Sequence, residues 1–228
     1  MPRQLAFNLP VKEALGRDDF FVSAANAAAV AAVEDWAQWP QGKLALIGPP
    51  GSGKTHLAQV WANDTGARVA QAADLAATDL ADLARFPRAV VEDADQVAGN
   101  PAAERALFHL HNLIAAADGR LLLTARTAPN RWPLTLPDLA SRMQATAITT
   151  LDPPDDALLS AVLVKLFADR QLIVPPAIIP YLALRMTRSF ASARSLVDRI
   201  DRRALAEGRK VTRAMVAEVL DMGAEGGQ

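Results

Sequence analysis

Eight consecutive residues carry the clearest chemistry in the chain: Gly48-Pro49-Pro50-Gly51-Ser52-Gly53-Lys54-Thr55. Glycines at this spacing let successive backbone N–H groups turn inward around phosphate oxygens, and the positive end of a following helix reinforces them. Lys54 would reach the β- and γ-phosphates of a nucleotide, and the Thr55 hydroxyl would ligate Mg²⁺. The GxxxxGK[ST] pattern is complete, with an apolar run from Leu44 to Ile47 before it and an amphipathic helical pattern after it. That strand–loop–helix context is the one the motif requires. Gly48, Pro50, Gly51, Ser52, Gly53, Lys54, Thr55 and the adjacent His56 are therefore candidate nucleotide-binding residues.

A phosphate loop needs an acidic partner at the end of a neighbouring strand. The apolar run Ala89 to Val91 is followed by Glu92, Asp93 and Asp95. One carboxylate would hold the Mg²⁺ shell and another would polarise water, which makes Thr55, Glu92 and Asp93 the candidate Mg²⁺ residues. Taken alone, the same acids also suit a solvated loop. A third apolar stretch, "GRLLLTART", places Thr124 where a γ-phosphate sensor would sit.

Composition narrows the alternatives. The chain has 228 residues, 51% of them hydrophobic, enough for a sizeable core with a smaller companion. It has no cysteine, which excludes disulfides, thiol nucleophiles and Cys-based metal sites. Its three histidines show no metal-ligand spacing, and His109 and His111 lie two apart on a helical stretch, so they point different ways. The Ala-rich segment "VSAANAAAVAAVEDWAQW" is broken by Asn26, Glu34 and Asp35 and is too polar to cross a bilayer. The start has no apolar signal region, so a cytoplasmic protein with no membrane partner is expected. A formal net charge of -1 gives no general attraction to nucleic acid.

Strands alternate with helices as far as a last strand around Ala145 to Thr150, which predicts an α/β fold with a parallel sheet between helices. After Asp152-Pro153-Pro154 the pattern becomes helical throughout, with Asp155 and Thr212 as N-caps and Gly208 as a terminator. The expected organisation is an N-terminal peptide (1–12), an α/β nucleotide-binding core (13–152), a helical lid (153–222) and a disordered tail (223–228).

A P-loop core followed by a helical lid resembles the AAA+ architecture, and within it the DnaA-related Hda family, regulators that inactivate the replication initiator DnaA. Four stretches carry the resemblance. "QLAFNLP" resembles that family's sliding-clamp-binding peptide, and "DDFFVSAANAAAVAAV" resembles the segment that covers the adenine. "GPPGSGKTHLAQ" matches the phosphate loop, and "TLPDLASRM" resembles the stretch bearing an arginine finger. The resemblance implies that Gln4, Leu5, Phe7 and Leu9 dock on the DNA polymerase III β sliding clamp, and that Phe21 and Val22 contact the nucleotide. It assigns to Arg142 the role of an arginine finger acting in trans on ATP held by DnaA. Homotypic packing into a dimer is compatible with an arginine at such an edge. Read from residues alone, "QLAFNLP" also suits an edge strand, and Arg142 a surface ion pair.

The chain departs from the family in three places. Glu92-Asp93 stands where Asp-Asp or Asp-Asn is usual, and Arg126 stands where the sensor strand has an acid. Ala191 occupies the lid's sensor arginine position, with Arg188 and Arg194 one turn away on either side; either could replace it, Arg194 being counted among the nucleotide-binding candidates, or the phosphates go without that contact. These departures imply a bound ATP or ADP, ADP favoured, with weak hydrolysis at the chain's own site. No long insertion and no helix-turn-helix pattern is found, so sequence-specific DNA binding is not expected. The competing readings are a helicase-loader-like AAA+ protein and a P-loop small-molecule kinase.

Overall fold

The computed structural model describes residues 21–224, with side chains to residue 221. The expected clamp-binding residues Gln4, Leu5, Phe7 and Leu9, and the tail from residue 225, lie outside the described residues.

Five parallel strands form the sheet: β1 (Lys43–Ile47), β2 (Arg68–Gln71), β3 (Arg88–Glu92), β4 (Arg120–Ala125) and β5 (Ala147–Thr150), in the order β2-β3-β4-β1-β5. The central strands are apolar on both faces, as a sheet covered on both sides requires. Alternate residues divide between two cores. Ala45, Val91, Leu121 and Leu123 face a cluster that includes Leu107, Leu110 and Ile114 of α4 (Pro101–Ala116) and Leu139 and Met143 of α5 (Pro137–Gln144). Leu44, Leu46, Val90 and Leu122 face the opposite cluster, built with Val30 and Val33 of α1 (Ala27–Glu34) and Leu57 and Trp61 of α2 (Lys54–Thr65). The short helix α3 (Leu80–Leu83) precedes β3, capped by Asp79.

The α/β fold is the one the alternating pattern predicts. The last strand is two residues shorter than expected, because Ala145 closes α5 instead of opening β5. Beyond the sheet run α6 (Asp156–Asp169), α7 (Ile178–Ala183), α8 (Phe190–Glu207) and α9 (Arg213–Ala224). These four share a core of their own, including Leu163, Phe167, Leu182, Val197, Ile200 and Val216. Asp155 accepts from the Leu158 N–H at 2.7 Å and Thr212 from the Met215 N–H at 3.3 Å, while Gly208 ends α8 in the left-handed conformation. Each cap is where its residue type predicts one.

Candidate nucleotide site at the ends of three strands

Register places the site residues at one edge of the sheet. Leu46 pairs with Thr124 and Ile47 with Ala125, so the loop after β1 and the end of β4 are neighbours. Val91 pairs with Leu123, which brings the acids after β3 to the same edge. Ligands in open α/β sheets bind beyond these carboxyl ends.

The loop itself is held by backbone contacts that only glycine permits. Gly51 and Gly53 have φ of 75° and 98°. A Cβ on Gly51 would lie 2.5 Å from the Ser189 Cβ, and one on Gly53 would lie 2.9 Å from the Phe190 ring. The start of α8 therefore rests on the loop, and the Phe190 N–H donates to the Gly51 carbonyl at 2.9 Å. This contact joins residues far apart in sequence, and nothing in the local pattern announces it.

Inside the loop, Lys54 is buried and its Nζ donates to the carbonyls of Gly48 and Pro49 at 2.8 and 3.0 Å. Burial holds the Lys54 amine below its ordinary pKa; the charges of Asp93 and Asp95 pull it back up, and that of Arg126 lowers it further. Ser52 is 1% exposed and its Oγ has no partner. Thr55, the second residue of α2, is exposed to solvent, and His56 is half-buried beside it. Pro50 is exposed on the loop's rim.

The acids divide differently from the expected Glu92–Asp93 pair. Glu92 is buried at the end of β3 and its Oε2 accepts from Gln71 Nε2 at 2.7 Å, so it faces the neighbouring strand β2. Burial pushes the Glu92 carboxyl above its ordinary pKa; the Gln71 bond opposes that and Asp93 adds to it. Asp93 adopts the left-handed conformation, φ 52°, which turns the chain sharply after the strand. Its N–H donates to Thr124 Oγ1 at 3.0 Å. Asp95 Oδ2 accepts from the Arg126 N–H at 3.3 Å, and its Oδ1 is buried with no partner. The carboxylates that act on Lys54 are thus Asp93 and Asp95, two residues apart, with Glu92 tied to Gln71. Asp95 is legible in the sequence as part of the acidic run; that Arg126 shares its surroundings is not.

No family model matches the chain. Among solved structures, the chain is similar to domain III of the replication initiator DnaA from Thermotoga maritima. The TM-score is 0.76 at 19% identity, over 93% of this chain and 98% of that one. AMPPCP-bound DnaA from Aquifex aeolicus matches with TM-score 0.66 and 18% identity, over 79% of this chain and 63% of that one. A Thermotoga maritima RuvB mutant matches with TM-score 0.63 and 19% identity, over 89% and 70%. The fold is that of an AAA+ domain.

Within this AAA+ fold the remaining expected residues are held by other partners or exposed. Phe21 and Val22 are exposed, and Asn26 Nδ2 fastens the Phe21 carbonyl to the start of α1 at 2.8 Å. Arg188 pairs with Asp156 at 2.8 Å, while Arg194 is half-buried on α8. Arg142 is exposed on α5, and its charge acts on Lys43, the first residue of β1. Lys43 stands five residues before Gly48 on an extended strand, a span of about 16 Å. Arg142 thus sits toward the end of the sheet away from its own phosphate loop.

Proposed function

We propose that the chain is a nucleotide-binding AAA+ regulator of replication initiation, related in role to the DnaA-inactivating proteins it resembles in sequence. The observation that carries the nucleotide part is the phosphate loop itself: a buried lysine facing two carboxylates, an unpartnered buried Ser52 hydroxyl, and glycines with no room for a side chain. A nucleotide phosphate would displace the Gly48 and Pro49 carbonyls from Lys54 and give Ser52 its missing partner. The likeness to AMPPCP-bound DnaA supports an adenine nucleotide. Thr55, Asp93 and Asp95 are the oxygens available to Mg²⁺, which when bound would neutralise phosphate charge. Thr124, fixed by the Asp93 N–H, is the residue suited to read the terminal phosphate. With Glu92 held by Gln71, the carboxylate that directly follows the apolar run is not free to polarise a water, which suits a bound nucleotide that is turned over slowly.

The regulatory part rests on Arg142. An exposed guanidinium remote from its own loop suits a phosphate brought by another molecule, and such a finger contributes about 10³–10⁵ in rate. The partner in this reading is ATP-loaded DnaA. The N-terminal residues Gln4, Leu5, Phe7 and Leu9 would bring the chain to the β sliding clamp. The test follows ATP conversion on DnaA with clamp loaded on DNA. Stimulation by the wild-type chain, lost in Arg142→Ala and reduced in Gln4→Ala with Leu5→Ala, is the expected result. No stimulation by the wild type in the presence of clamp and nucleotide overturns the regulatory reading.

A further inference from the structure

The helices beyond the sheet carry an uneven charge that the net charge of -1 conceals. Residues 170–197 hold four arginines and no acid, and residues 208–217 hold Arg209, Lys210 and Arg213 and no acid. Acids outside these stretches match several of the cations: Asp201 pairs with Arg170, Asp156 with Arg188 and Glu207 with Arg209. Arg185 and Arg213 have no such match. Neither makes an ion pair or a side-chain hydrogen bond among the described residues.

Both guanidiniums lie instead over one ring. The Arg185 Cζ stands 4.2 Å and the Arg213 Cζ 4.8 Å from the ring centroid of Tyr181, on α7. Arg185 follows α7 by two residues and Arg213 opens α9, so two elements deliver them to the same place. Tyr181 is half-buried against the core of these helices, which fixes the ring, while both arginines are exposed. The face of a ring attracts a cation, but at an exposed site the attraction is worth only about 0.5–1 kcal/mol and leaves the charge in place. Two like charges held beside one ring, with no carboxylate paired to either, repel each other. An anion that reaches both offsets that repulsion.

We propose that Tyr181, Arg185 and Arg213 form a docking point for the phosphate backbone of duplex DNA. A guanidinium donates two parallel N–H bonds to a phosphate, and stacking on the ring orders that fork beforehand. Duplex DNA carries one charge per about 1.7 Å of its axis, a dense row of acceptors for two forks side by side. The Tyr181 ring is taken up by the guanidiniums and the helical core, so it leaves no open face for a base. Proteins hold single strands by such base stacking, and the geometry therefore favours the duplex. Contacts of this kind hold the backbone and read no sequence. The docking point is independent of the readings of Arg142 and of the phosphate loop.

The test is fluorescence anisotropy of a labelled duplex of about 30 base pairs, titrated with the full chain between about 50 and 200 mM salt. The log of the affinity should fall against the log of salt with a slope of about -2, as two phosphate contacts require. Arg185→Gln and Arg213→Gln should each weaken binding about fivefold at low salt and reduce the slope by about 1. Tyr181→Leu keeps every charge but releases both forks, and should weaken binding about threefold. Tyr181→Phe keeps the ring and should match the wild type. Arg202→Gln removes a cation that Asp198 already pairs, and should cost less than either. A denaturant melt of each variant checks the fold. No binding by the wild type, equal binding by both arginine variants, or a loss in Arg202→Gln as large as theirs overturns the site. Lys54→Ala should bind as the wild type does; binding lost there would move the DNA to the phosphate loop and overturn the site as well. Tighter binding to the matching single strand, or equal displacement by a poly-glutamate peptide of the same charge, overturns the assignment to duplex DNA.

Discussion

Lys54 ties the loop together from within: its amine is shared between the Gly48 and Pro49 carbonyls. Lys54→Ala should weaken ADP and ATP binding on the order of 100-fold, about 2.7 kcal/mol. Stability should fall by no more than about 1–3 kcal/mol, because the Gly48 and Pro49 carbonyls lose their donor while a desolvated ammonium is removed. Calorimetric titration beside a denaturant melt checks both. Gly51→Ala tests the other half of the loop. It forces a side chain into the left-handed region and onto Ser189, and should cost about 1–3 kcal/mol in a denaturant melt. Gly66→Ala has a similar φ of 70° and nothing within 4 Å, so it should cost only about 1 kcal/mol. The difference between them is the contribution of the lid contact.

Glu104 acts at the scale of elements. This α4 residue is fully buried, and its carboxylate accepts from the Gly99 N–H, the Thr135 N–H and hydroxyl, and the Leu136 N–H. Thr135 and Leu136 lead directly into α5, so Glu104 fixes the entry of the helix that carries Arg142. Burial alone would raise the Glu104 carboxyl, but the hydrogen bonds outweigh it and hold its pKa below the ordinary 4.5. Its contribution is therefore complete above that pH and is lost as pH falls through the depressed folded value. Glu104→Gln should destabilise by about 1–3 kcal/mol at neutral pH. Denaturant melts from pH 7 to pH 2 should show the gap to wild type closing on the acid side.

At the scale of the whole molecule, the sheet layer and the helices α6–α9 have separate cores joined at the phosphate loop by Phe190 and Ser189. The four tryptophans all precede α6, at Trp36, Trp39, Trp61 and Trp132, whereas the single tyrosine, Tyr181, lies in α7. Tryptophan fluorescence thus reports the sheet layer, and far-UV circular dichroism reports both parts. The two probes should coincide in the wild type. In Phe190→Ala, which removes the ring from Gly53, they should separate by a few tenths of a molar in urea midpoint. ADP at 100 times its Kd should stabilise the wild type by about 2.7 kcal/mol by mass action. Coincident probes in Phe190→Ala would show that the two parts are coupled by other contacts.

The amino-acid sequence by itself determines much of this molecule. The phosphate loop, the apolar strands, the caps Asp155 and Thr212 and the left-handed Gly208 follow from local rules, because each depends on residues within a few positions of one another. Thr124 and the acidic run fall at strand ends for the same reason. The tertiary structure decides which acid does what. Gln71 lies twenty-one residues before Glu92, and only the pairing of β2 with β3 lets it claim that carboxylate. It also decides that Phe190 seals the loop from a helix far along the chain. Periodicity in a chain records which face of an element is buried; it does not record which distant side chains share a face, and charge interactions depend on that distance and on how deeply the groups are buried.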